Sequence, residues 1–285
     1  MDRYEQFRRA ATDRGFPDDE IVQFADQLRF AVWAGITREG EQVMGQFGGV
    51  PRLPVGAEWP SSTNGSPLPF VASVDCAALP RAEGLALPEG GTLLFFLDHE
   101  DDLFAPPTAD EPEFARVLFV PAGTETAPAS GPGEPGDARP LSASVEAVLP
   151  RWIGEDDFDN AVLEELNDEL KHAEELSELV DELWPEQDRG AWLRLGGYCS
   201  RIGGQDTPFT QLTMAGVRSR HESGPPDAER FGSSDVEEYR LTREWVPLAQ
   251  FYTESDYHYG CFLISTDDLT AQRFERMRSF TMFSE

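Results

Sequence analysis

The sequence predicts an α+β protein: N-terminal helices followed by two related β-rich halves, with a long acidic amphipathic helix between the halves. Three observations carry this expectation. Continuous apolar runs bounded by Gly and Pro occur at 69–75, 92–98 and 115–120, and again near 247–250 and 260–264, which is the pattern of strands covered on both faces. The stretch 155–184 repeats apolar residues at helical spacing. Finally, short blocks recur in the same order. Leu195-Gly196-Gly197-Tyr198 echoes Phe47-Gly48-Gly49-Val50, Pro247-Leu248-Ala249-Gln250 echoes Phe70-Val71-Ala72-Ser73, and Gly260-Cys261-Phe262-Leu263-Ile264 echoes Gly91-Thr92-Leu93-Leu94-Phe95. An order kept three times reads as a diverged internal duplication.

In chain order, residues 2–13 place Tyr4 and Phe7 at helical spacing, with Gly15 as the stop. Pro17-Asp18-Asp19-Glu20 opens a second helix whose apolar face runs through Ile21, Phe24, Ala25, Leu28 and Val32 to an end near Gly35. Prolines at 51, 54, 60, 67 and 69 exclude helix and central strand from 48–69, so an extended wrap is expected, tied down by Leu53, Val55 and Trp59. The strands at 69–75, 92–98 and 115–120 follow. The Gly-, Pro- and Ser-rich stretch 122–140 reads as a flexible loop.

From 155 to 184 an apolar stripe including Phe158, Val162, Leu166, Leu170, Ala173, Leu176 and Leu183 faces away from a strongly acidic surface. Arg220–Ser234 reads as a polar loop, and Thr266-Asp267-Asp268-Leu269 opens a last short helix. The chain is thus expected to be a single domain, 1–285, with sub-parts 1–36 (helices), 37–121 (first β half), 122–140 (flexible loop), 141–190 (strand and acidic helix) and 191–285 (second β half).

The charge balance limits the partners. A formal charge of -30, from 53 acidic against 23 basic residues with Lys171 the single lysine, repels polyanions and anionic lipid over about 8 Å at physiological salt. Nucleic-acid and membrane partners are not expected, and solubility is the plain reading of the acid. Neither a signal-peptide core nor an apolar run of about 18 residues occurs, so a cytoplasmic monomer is the expectation. Cys76, Cys199 and Cys261 lie far apart without a C-x-x-C pair, which fits reduced thiols.

The residues Phe47-Gly48-Gly49-Val50-Pro51-Arg52-Leu53-Pro54 with Trp59-Pro60, then Pro67–Asp75 and Leu87–Phe96, resemble the YwqG-like family of bacterial proteins, a family of unknown function. Weaker echoes at 195–198, 245–250 and 260–269 extend the resemblance over roughly 45–280. It implies an α+β fold of two related halves, in intracellular proteins without an established catalytic set. Ser73 departs from it where glutamine is expected, as do Cys199 and Gly203 where proline and glutamine are expected.

Gly48, Gly49, Pro51, Pro54, Trp59, Pro60, Gly196 and Gly197 form the structural motif; no glycine sits in a phosphate-loop pattern and no serine in a G-x-S-x-G elbow. No cofactor is called for. His258 and Cys261, with Cys199, are a weak metal or nucleophile alternative, and His99 beside Glu100, Asp101 and Asp102 reads as a solvated acidic loop. The polar residues beside the repeated blocks, Arg52, Asp75, Tyr198, Arg201, Gln250 and Tyr252, are the candidate ligand-binding set. A protein that binds a partner or small ligand is the leading expectation. A hydrolase-like enzyme with a cleft between the halves, and an acidic inhibitor or immunity-type protein of a basic partner, are the alternatives.

Overall fold

The structure, a computed structural model, describes residues 2–105, 112–131, 136–153, 160–187, 190, 192–200, 207–213, 230–252 and 258–283. Helix α1 (Arg3–Arg14) starts at Asp2, whose side chain accepts the Tyr4 N–H at 2.8 Å, and stops at Gly15, where φ is 83°. Helix α2 (Asp18–Ala25) carries three acids in its first turn.

The expected continuation of α2 to Gly35 is corrected. Arg29–Ile36 is a strand, β1, because from Leu28 onward Phe30, Val32 and Ala34 alternate, and both edges of the segment are hydrogen-bonded. Among the described residues, seven further strands and three helices precede the second Gly-Gly block. They are β2 (Gly45–Phe47), β3 (Arg52–Pro54), β4 (Phe70–Asp75), β5 (Thr92–Leu97), α3 (His99–Asp102), β6 (Ala115–Val120), β7 (Thr126–Pro128), β8 (Arg139–Val148), α4 (Ala161–Glu169) and α5 (Ala173–Leu183). Then come β9 (Leu193–Gly196), a helical segment at 208–213, α6 (Arg230–Glu244), β10 (Trp245–Tyr252), β11 (His258–Ser265), α7 (Thr266–Thr270) and β12 (Arg278–Phe283).

Ten strands form one antiparallel sheet in the order β12-β11-β10-β9-β1-β8-β2-β4-β5-β6. Its centre is the β1–β8 pair, with Val32 opposite Val145. On one side runs the meander β9 to β12, on the other β2, β4, β5 and β6. The two meanders share their registers. Gln46 lies opposite Ser73 as Arg194 lies opposite Gln250, and each second strand breaks register once, between Phe70 and Ala72 and between Pro247 and Ala249. Beyond these breaks Ala72 faces Phe95 and Ala249 faces Phe262. Phe262 thus corresponds to Phe95, and the third sequence echo is shifted by two residues from the structural match. A slip of two keeps every side chain on its own face, so the apolar pattern does not reveal it.

The sheet curls until it is nearly closed. Phe95 and Phe262 meet at 5.4 Å between ring centroids, and Phe119 of β6 meets Phe274, just before β12, at 5.5 Å. Inside lies one apolar cluster drawn from nine strands, including Val32, Phe47, Val74, Leu141, Leu195, Leu248 and Ile264. A second cluster joins α1, α2 and α5 to Phe30 and Trp152. Leu53, Leu94 and Phe96 cover the outer face of the first meander and Phe209, Leu241 and Leu263 that of the second.

The wrap at 48–69 is anchored by Leu53 and by the Trp59 indole, which donates to the Leu68 carbonyl at 2.9 Å, whereas Val55 is 62% exposed. The stretch 122–140 is not wholly loop: 126–128 pair with β3 and Arg139 opens β8. The long helix is two helices, and residues 154–159 of the expected span lie outside the described ones. Leu170, 3% exposed, leaves helical geometry at φ −92° and ψ 76°. The cause lies across the core. Buried Glu20 accepts the His172 N–H at 3.0 Å and pairs with its Nδ1 at 2.9 Å, supplying the N-terminus of α5 with a cap from another helix. Of the expected 220–234 loop, residues 230–234 are the start of α6 and the rest lie outside the described residues.

Candidate functional site

The two Gly-Gly blocks end corresponding strands in the same backbone conformation. Gly49 and Gly197 have φ of 74° and 75°, and a Cβ on them would stand 2.6 Å from Cβ of Ala138 and 3.1 Å from Cβ of Ala31. Each glycine is therefore favoured twice, by its left-handed backbone and by the close approach of a neighbouring segment.

A glutamine holds each turn. Gln46 donates through Nε2 to the carbonyls of Gly48 and Val50 at 2.9 and 3.2 Å. Gln250 donates to Gly196 and Tyr198, the corresponding carbonyls, at 3.5 and 3.0 Å. The glutamine missing at Ser73 is thus replaced by one directly across the strand pair, at Gln46. Gln250 is 1% exposed, and its Oε1 accepts the Ser200 N–H at 3.0 Å and the Tyr259 hydroxyl. All its hydrogen-bonding positions are engaged within the fold.

The other candidates are dispersed. Tyr198 donates to the Gln27 carbonyl at 2.7 Å and carries the Arg29 guanidinium 4.1 Å over its ring. Burial pushes its phenol up to about 12, against the pull of Arg29 and Arg243. Tyr252 is exposed and meets Tyr259 edge-on at 5.4 Å. Arg52 and Asp75 stand on the other meander's side. Arg52 is bound to the Thr126 carbonyl at 2.7 Å, and Asp75 Oδ1 accepts the Ala77 N–H at 3.0 Å. Arg201 and Gly203 lie outside the described residues, and His258 is described by its backbone alone.

Cys199 and Cys261 do come together, Sγ to Sγ 4.0 Å, as free thiols. Burial raises the Cys261 thiol well above its ordinary range. No group of three potential metal ligands occurs among the described residues. In the acidic turn after β5, Asp102 is turned inward, 4% exposed, and accepts the hydroxyls of Ser279 at 2.6 Å and Thr281 at 2.8 Å. It fastens that turn to the far edge strand.

Among the described residues, a cavity lined by both charged and apolar groups lies where the second Gly-Gly block meets the N-terminal helices. It holds about 310 Å³ and is bordered by α1, the end of α2, the start of β1, the 83–85 turn, Gly196-Gly197 and the α6–β10 junction. Arg8, Arg29 and Arg243 reach it, with Phe30, Leu85 and Trp245 as apolar wall. Arg29 is fixed, donating to the carbonyls of Gly197, at 3.1 Å, and Thr242. Tyr4, also on the wall, has its phenol raised by burial against the opposing effect of Arg29. A smaller hollow of about 70 Å³ lies on the other side of Arg29 and Arg243, against Tyr198 and Tyr239.

With this geometry in place, a family model described as Domain of unknown function (DUF1963) matches residues 45–281. The chain belongs to the DUF1963 family. No curated protein matches it. The DUF1963 match takes in both Gly-Gly blocks, both glutamines and Arg243, and begins after α1, α2 and β1. Tyr4, Arg8 and Arg29 therefore come to the cavity from outside the matched part. Sequence reading missed all three arginines. They are far apart in the chain, obey no motif spacing, and meet only where the N-terminal helices dock on the second meander.

Proposed function

We propose that this chain is a ligand-binding protein whose site is the 310 Å³ cavity between the N-terminal helices and the second meander. The observation that carries the reading is the composition of that hollow: a volume in the range of small-molecule sites, apolar on one wall and with arginine and tyrosine groups converging from three separate segments. The candidate residues Tyr198 and Gln250 serve it indirectly, Tyr198 by stacking on Arg29 and Gln250 by holding the Gly196–Tyr198 turn. The matched registers of the two meanders support descent of the halves from one duplicated unit. Kinship with the YwqG-like bacterial proteins belongs to the same reading, supported by the wrap motif at 47–60. Cytoplasmic residence does too, supported by three free cysteines, two of them only 4.0 Å apart.

Native mass spectrometry of protein taken gently from its own cells tests the reading. Thr266 is an exposed residue on the cavity rim, and Thr266→Trp fills the space without burying a charge. The wild-type chain is expected to retain a small-molecule mass that Thr266→Trp loses. The same mass retained by both, or by neither, contradicts a ligand in this cavity.

A further inference from the structure

We infer that the cavity, if it is the ligand site just proposed, takes a small organic oxyanion, a carboxylate or a phosphate monoester on an apolar or aromatic body. In a chain with 53 acidic and 23 basic residues, arginines are expected to find carboxylates. Arg3, Arg14, Arg240 and Arg273 do, to Glu83, Glu182, Glu237 and Asp268. Among the described residues Arg8, Arg29 and Arg243 form no ion pair, yet all three line one hollow. Of the two acids on its wall, Asp26 and Glu83, the second is already held by Arg3 at 2.6 Å.

The three cations differ in kind. Arg29 is spent on carbonyl oxygens and on the Tyr198 ring, so it contributes a fixed positive charge and little free donor capacity. Arg8 on α1 and Arg243 on α6 are exposed; Arg243 rests one Nη on the Tyr239 hydroxyl at 3.4 Å, and its other donors with those of Arg8 can grip an oxyanion in the forked manner that suits carboxylate and phosphate. Arg243 also lies in the last turn of α6, where a cation complements the helix dipole. Arg29 and Arg243 thus each have a structural role of their own, and their meeting with Arg8 in one hollow is left unexplained by either. Phe30, Trp245 and Val246 supply the apolar wall for the body of the ligand.

The test is calorimetric or NMR titration of the full chain with benzoate, phenyl phosphate and the neutral isostere benzamide, repeated on Arg8→Gln and Arg243→Gln. Both positions are exposed, and matching melting temperatures confirm that the variants are folded. The expected result is saturable binding of benzoate or phenyl phosphate. Benzamide and each variant are expected to be weaker by about tenfold, the effect of losing one charge-assisted hydrogen bond. Preference for one anion then assigns carboxylate or phosphate. Benzamide binding as tightly as the anions overturns the oxyanion class while leaving the cavity as a ligand site. Anion binding unchanged in both variants places the anion elsewhere and overturns the inference, as does failure of both anions to bind; the retained mass lost in Thr266→Trp separately decides the cavity itself.

Discussion

Phe95 and Phe262, both fully buried, touch across the curl of the sheet with centroids 5.4 Å apart, and each lies opposite an alanine just beyond the register break of its own meander. Corresponding positions of the two meanders thus pack on each other at the point where the sheet nearly closes. Phe95→Ala and Phe262→Ala are each expected to cost about 3–5 kcal/mol in denaturant unfolding. Because the rings are in contact, the double variant should fall short of the sum by about 0.5–3 kcal/mol. Strict additivity would contradict the contact.

Gln250 and Gln46 perform the same task at different depth. Gln250→Leu leaves the Tyr198 carbonyl, the Ser200 N–H and the Tyr259 hydroxyl without their partner in a buried place, and is expected to cost about 3 kcal/mol. Gln46→Leu acts at a partly exposed turn where water replaces the amide, so about 1 kcal/mol is expected. Equal costs in equilibrium unfolding would show that the buried turn gains nothing from its extra bonds.

The thiols should react in order of exposure. Burial pushes the Cys76 thiol up to about 12 and Cys261 well above its usual range, while Cys199 is only partly buried. Timed alkylation of native protein with mass-spectrometric readout is expected to label Cys199 first, with Cys76 and Cys261 labelled only under denaturing conditions. Rapid labelling of Cys261 would contradict its burial beneath the 208–213 helix and α6.

Asp102 gives a pH dependence of defined sign. Burial, the largest cause, raises its carboxyl above the ordinary range despite the hydroxyls of Ser279 and Thr281. A raised folded value means that its contribution to stability is complete below the unfolded value and is lost as pH rises through the folded one. The stability deficit of Asp102→Asn relative to wild type is therefore expected to be larger at acidic than at neutral pH. A deficit that does not change with pH would refute the shift.

Much of the frame was legible in the sequence. Gly15 marked the end of α1, and the apolar runs located β4, β5 and β6 to within a residue or so. What escaped was set by tertiary contacts. Val32 continues the helical spacing of Phe24 and Leu28, and only the demand of β8 and β9 for a central partner makes it strand. The break at Leu170 carries no glycine or proline; it follows from Glu20 reaching His172 from another helix. Gln46 standing in for Ser73 is visible only once the strands are paired. The cavity is the least legible part, since Arg8, Arg29 and Arg243 share no spacing and meet only after the N-terminal helices dock on the second meander.

The most direct measurement of the central claim is backbone amide mapping of the full chain against a small-fragment library that includes organic anions. A single ligand cavity predicts that binding fragments shift the amides of Leu28, Gly84, Gly196, Gly197 and Thr266 together and leave those of Arg52 and Asp75 in place. Shifts centred on Arg52 and Asp75, or scattered without a cluster at Gly196-Gly197, would contradict it.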